Sequence, residues 1–167
     1  MDSIDLIKDA FSRIADELPG RLEGMSARSL LHRAQRQGNS VSWLAFTMAR
    51  RQDRLFARIG GTAQVWDQGW RERFDLPESA ETAEDERFRV VDVELLNGYY
   101  RAVAAASAGV LESGAAENLD RVLEGGRSVG SSLVDLLNEI TKDMGQIAFL
   151  RGLTDSIKAM RARRRTG

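Results

Sequence analysis

The sequence predicts an all-α protein: a four-helix bundle with one long crossover between its second and third helices. Three observations predict it. Apolar residues recur at three- and four-residue spacing in four separate stretches, the period of a helix that buries one face. Only two prolines, Pro19 and Pro77, interrupt the 167 residues, so long helices are available. No stretch alternates apolar and polar residues as a half-buried strand does, and no internal repeat is visible.

The first helix carries Ile4, Ile7, Phe11, Ile14 and Leu18 as a single stripe. Asp2 or Ser3 can cap its start, and Pro19-Gly20 is expected to stop it. A polar turn region follows, with a short helical piece expected at 26–33. Asn39 or Ser40 caps the second helix, which sets Val41, Leu44, Met48, Leu55 and Ile59 on one face and ends at Gly60-Gly61. Over 62–91 the period is lost. Trp66, Trp70, Phe74, Leu76 and Phe88 stand there among many charges, which reads as an ordered crossover pinned by aromatics. The third helix covers about 92–111, with Val93, Leu96, Tyr100, Val103 and Leu111 as its core. Gly125, Gly126 and Gly130 punctuate the next connection, and the fourth helix runs from 128–132 to about 160. One domain therefore spans 1–160, and 161–167 is expected to be a flexible basic tail, too polar to pack.

The fourth helix holds the most informative residue. Its heptad core positions are Leu133, Leu136, Ile140, Asp143, Ile147 and Leu150, and only Asp143 is not a hydrophobe. Burying an ionised carboxylate costs several kcal/mol unless it is paired or bound to metal. Asp143 thus marks a functional cavity, a core ion pair, or a residue displaced from the seam by the drift of a real helix against a strict heptad.

Composition excludes several function classes. There is no cysteine, so disulfides, thiol nucleophiles and cysteine-based zinc sites are out, and cytoplasm is the default setting. The single histidine, His32, excludes a His-rich metal site within one chain and any Ser–His–Asp arrangement argued from sequence. It lies in LLHRAQRQG beside Arg33 and Arg36 and reads as a surface histidine. A net charge of −1 gives no bulk case for nucleic acid or an anionic membrane. No apolar run approaches the ~20 residues of a transmembrane helix, and MDSIDLIKDAF is unlike a signal peptide. Gly125-Gly126-Arg127 with Gly130 lacks the preceding strand and the lysine of a phosphate loop. The arginines of the tail suit a helix C-terminus and need no phosphate partner.

Four segments, NSVSWLAFTMARRQD, AQVWDQGWRERFDLP, ELLNGYYRAV and DMGQIAFLRGL, together resemble the DinB-like superfamily, most closely its thiol-dependent transferase and isomerase branch. They keep the family's order and cover most of 39–153. The resemblance implies a bundle that is frequently dimeric, with a divalent metal held between the second and fourth helices to activate a thiol cofactor. The family's histidine on the second helix falls at Thr47, and its two ligands on the fourth helix fall at Glu139 and Asp143. No imidazole remains. A hydroxyl with two carboxylates suits magnesium, calcium or manganese better than nickel or zinc. The expectation is therefore no cofactor, with a divalent metal at Glu139 and Asp143 as the alternative.

Arg50, Arg51 and Arg54 follow Thr47 within two turns, and Arg51 shares the core face. An Arg–Asp pair in the old metal cavity would neutralise Asp143. Trp43, Phe46, Thr47, Arg50, Arg51, Trp66 and Trp70 are the candidate ligand-binding residues, although aromatics at helical spacing equally suit a core. Glu139 and Asp143 are the candidate catalytic pair, since neighbouring carboxylates push one pKa upward. With Asp135 one turn earlier, they also read as a solvated acidic stripe. Three functions stay open: a metal-free bundle that binds or transforms a small, largely apolar metabolite, a non-catalytic interaction protein, and a metal- and thiol-dependent transferase with altered ligands.

Overall fold

The computed structural model of the chain describes residues 2–35, 38–76 and 88–166. Arg36 and the 77–87 part of the expected crossover lie outside the described residues. Helix α1 (Ser3–Leu22) leads through the single turn α2 (Ala27–Leu30) to α3 (Val41–Gly60). A 3-10 turn (Val65–Asp67) and the short α4 (Trp70–Phe74) follow, then α5 (Val93–Glu112) and α6 (Val129–Thr166). Among the described residues the fold is all-α, and the only β-type contact is an isolated antiparallel bridge between Val122 and Ser128. No described helix is long and apolar enough to cross a membrane.

Caps at the helix ends follow the local chemistry. Asp2 accepts the Asp5 N–H at 2.8 Å while the Asp5 carboxylate accepts the Asp2 N–H at 3.1 Å, a reciprocal box that satisfies two orphan donors of α1. Ser40, rather than Asn39, caps α3 by accepting from the Trp43 N–H. Asp92 caps α5 through the Leu95 N–H at 3.0 Å. Gly61, at φ 65°, closes α3 in the left-handed conformation that glycine adopts without strain.

α3 packs against α5 on one side and α6 on the other, and α1 closes the ring against the same two helices. This explains why α3 is buried over so much of its circumference, from Val41 and Leu44 through Phe46, Met48 and Ala49 to Phe56 and Ile59. The α6 seam is buried at every expected position, Asp143 included, so that residue is neither off the seam nor solvated.

Two boundary expectations are corrected. Pro19 does not stop α1, which continues to Leu22. The lost backbone bond is offset because Leu18 and Leu22, on either side of the proline, are both fully buried. Arg151 of α6 also donates to the Gly20 and Arg21 carbonyls at 2.9 and 2.7 Å, capping that end. The fourth helix also runs past its expected end near 160: α6 stays helical to Thr166. Arginine, alanine and methionine are strong helix formers, and cations at a helix C-terminus suit its dipole. Arg161 to Arg164 are exposed, as their polarity requires.

Candidate functional site

Consecutive arginines of α3 turn toward different neighbours. Arg50 faces α5 and the crossover, and Arg51 faces α6. Arg50 is buried, and its Nη1 lies 3.2 Å from Gln64 Oε1, 3.2 Å from the Tyr99 hydroxyl and 3.4 Å from Asp53 Oδ2. Its guanidinium also stands 4.6 Å above the Trp66 ring. Asp53, equally buried, accepts the Val65 and Trp66 N–H groups at 2.8 and 2.9 Å and the Tyr99 O–H at 2.8 Å. The carboxylate thereby fixes the backbone of the 3-10 turn, and Arg50 supplies the counter-charge a buried carboxylate needs. Burial pushes the Tyr99 phenol well above its usual range, which keeps the hydroxyl protonated as a donor to Asp53.

The aromatics expected to line a pocket pack on one another instead. Phe46 is 2% exposed and lies within 4.7–6.4 Å, centre to centre, of the rings of Trp43, Trp66, Phe74, Phe88 and Tyr99. Trp66 is fully buried, and half-buried Trp70 lies tilted against Tyr99, 5.4 Å between ring centres, with the Arg73 guanidinium over the Trp70 ring. Of the expected ligand-binding group, Trp43, Phe46, Arg50, Trp66 and Trp70 thus form the junction that pins the crossover to α3 and α5. The periodicity that nominated them could not separate a pocket wall from a core. His32 is half-buried after α2, less exposed than its polar neighbours suggest.

Arg51 reaches across to α6. Its Nη2 donates to Asp143 Oδ2, and its Nη1 lies 3.6 Å from Glu139 Oε2. Arg51 therefore stands between Glu139 and Asp143, the two α6 positions expected from the sequence resemblance to be ligands. The third, Thr47, is turned to its own helix, donating to the Trp43 and Leu44 carbonyls at 2.9 and 3.2 Å. A metal does not fit this set. A guanidinium occupies the carboxylates' charge, the hydroxyl is engaged, and a cation placed here would meet Arg51. Among the described residues no group of three or more His, Asp or Glu is placed to hold a metal ion. Burial raises the Asp143 pKa, Arg51 pulls it back, and nearby Glu139 pushes it up again.

Beside this pair a cleft of ≈ 460 Å³ opens along the α3–α6 seam. Arg51, Arg54 and Arg58 line it from α3, Asp135 and Glu139 from α6, and Arg127 from the loop before α6. Leu55 and Leu136 form its apolar floor. Four guanidiniums meet two carboxylates in the lining, and both carboxylates are paired, Asp135 with Arg127 and Glu139 with Arg51. Asp143 is not part of the lining: it holds Arg51 from beneath. The sequence offered the arginines, spaced three, four and seven apart on one helix face. It did not show that α6 leaves that face open.

No family model matches the chain, and no curated protein matches it. The fold is similar to that of a crystal structure of a conserved protein from Enterococcus faecalis, at 23% identity and a TM-score of 0.78. The match covers 90% of this chain and 96% of that one, a likeness of fold alone.

Proposed function

We propose that this chain is a metal-free relative of the DinB-like bundles that binds a small organic anion in the α3–α6 cleft. The observation that carries the reading is Arg51 bridging Asp143 and Glu139, where the family's ligand positions fall. In that place the guanidinium does part of a metal's electrostatic work: it is a fixed positive charge, held by a buried carboxylate and presented to an open cleft. The excess of guanidiniums over carboxylates in the lining supports an anionic ligand rather than the largely apolar metabolite expected from the aromatics. Asp143 acts as a positioning residue, not as a proton shuttle, because its carboxylate is committed to Arg51. The absence of cysteine supports a cytoplasmic setting.

Calorimetric titration with malonate, citrate and inorganic phosphate tests the reading. Binding should weaken about tenfold in Arg54→Gln and in Arg58→Gln, the order expected for one partly exposed charge-assisted contact. It should also weaken with added salt. Affinity indifferent to both substitutions would overturn the assignment of the cleft.

A further inference from the structure

On the opposite side of the bundle, α1 and α5 face each other through short side chains. Ala15 and Ala104 line a cavity of ≈ 230 Å³ between the helices, together with Phe11, Gln52, Ser107 and Leu111. It exceeds the roughly 150 Å³ of an apolar cavity known to hold benzene. The lining carries an incompletely used polar group. Gln52 is 1% exposed, its Oε1 accepts from the Tyr100 hydroxyl at 3.0 Å, and its Nε2 donates to Ser107 Oγ at 3.0 Å. Ser107 in turn donates to the Val103 carbonyl at 2.8 Å. A side-chain amide has two N–H donors. Among the described residues only Ser107 accepts from Gln52, so the second donor of this buried amide has no protein partner there. A buried unmatched donor needs an explanation, and a ligand acceptor is one.

We propose that the α1–α5 cavity is a second ligand site, for a small, uncharged, largely apolar molecule with one hydrogen-bond acceptor such as a ketone oxygen. Lys8, the charged residue in its lining, also borders the neighbouring cleft of Asp2, Asp5, Glu112 and Glu117, and four carboxylates that near make the site unfavourable to an anion. The apolar walls take the hydrocarbon body, and Gln52 takes the acceptor. The inference is independent of the anion cleft, because the two sites share no residue.

An isotope-edited NMR titration of the intact chain with acetophenone, and with ethylbenzene as its analogue lacking the oxygen, tests it. Both should shift the amides of Phe11, Ala104 and Leu111, with acetophenone binding about two- to tenfold tighter, as one net hydrogen bond allows. Ala104→Phe should abolish both by filling the cavity, Gln52→Met should erase the preference for acetophenone, and Arg54→Gln should change neither. No shifts up to aqueous saturation, equal affinity of the two probes for the unsubstituted chain, or undiminished binding to a folded Ala104→Phe would each overturn the proposal. The comparison of the two probes needs no variant, so it stands even if a substitution unfolds the chain.

Discussion

Arg50 and Arg51 are neighbours on one helix, and their surroundings differ in a way that separates architecture from function. Arg50 is sealed, with a carboxylate, an amide oxygen, a phenol and an indole face around it. Every group in that network has a structural task, and the acceptor at its centre, Asp53, holds two backbone amides of the crossover. Arg51 is about one-third exposed, its Nε is buried without a hydrogen-bond partner, and it lines an open cleft. A saturated buried network fixes a fold, whereas Arg51, paired with α6 carboxylates but still one-third exposed in the cleft, is the charge that the proposal assigns to a ligand.

Removing the carboxylate from each network should break this symmetry of sequence most plainly. Asp53→Ala strips three donors of their acceptor and leaves Arg50 buried without its counter-charge. The expected loss is about 3–5 kcal/mol in urea unfolding, enough to threaten the fold. Asp143→Leu should cost only about 1 kcal/mol. A buried carboxylate is replaced by a hydrophobe on an apolar seam, and Arg51 can turn into the cleft while keeping Glu139 nearby. If the two variants lose equal stability, the contrast between the networks is wrong.

Smaller effects sharpen it. The Asp143 pKa is raised above its ordinary value of 3.8, so the folded state holds that proton more tightly than the unfolded chain. Its contribution to stability is present in full below the ordinary carboxylate range and is lost as pH rises through the folded value. The stability of the parent chain should therefore fall relative to Asp143→Asn across that window, and a parallel pair of stability–pH curves would contradict the burial. Deleting the residues after Met160 should be the mildest change. It should shift the unfolding free energy by less than about 0.5 kcal/mol while lowering the helical circular dichroism, since α6 extends beyond its packed seam there.

Much of this architecture was legible from local chemistry. Ser40, Asp92 and Gly61 announce their helix ends, and the α6 seam reads directly from its heptads. Asp143 was visible as an intruder because its neighbours at those positions are uniformly apolar, and the nearest arginine on the facing helix is its partner. The Asp53 network was not legible. In ARRQDRLFARI the residue looks like one more charge on a solvated face, and its acceptor role depends on Val65, Trp66 and Tyr99, which only the crossover and α5 bring near. One signal existed: Gln52 and Asp53 interrupt a second apolar row of α3, between Ala49 and Phe56, that a reading with one buried face per helix overlooks. Pro19 misled for a related reason, since the burial that carries α1 past it comes from tertiary packing.

Equilibrium dialysis of the purified chain against zinc, nickel and manganese tests most directly whether Arg51 has taken the place of a metal. The arrangement of Arg51, Asp143, Glu139 and Thr47 predicts no stoichiometric uptake of any of the three ions. One tightly held ion per chain, lost in Asp143→Ala, would contradict it.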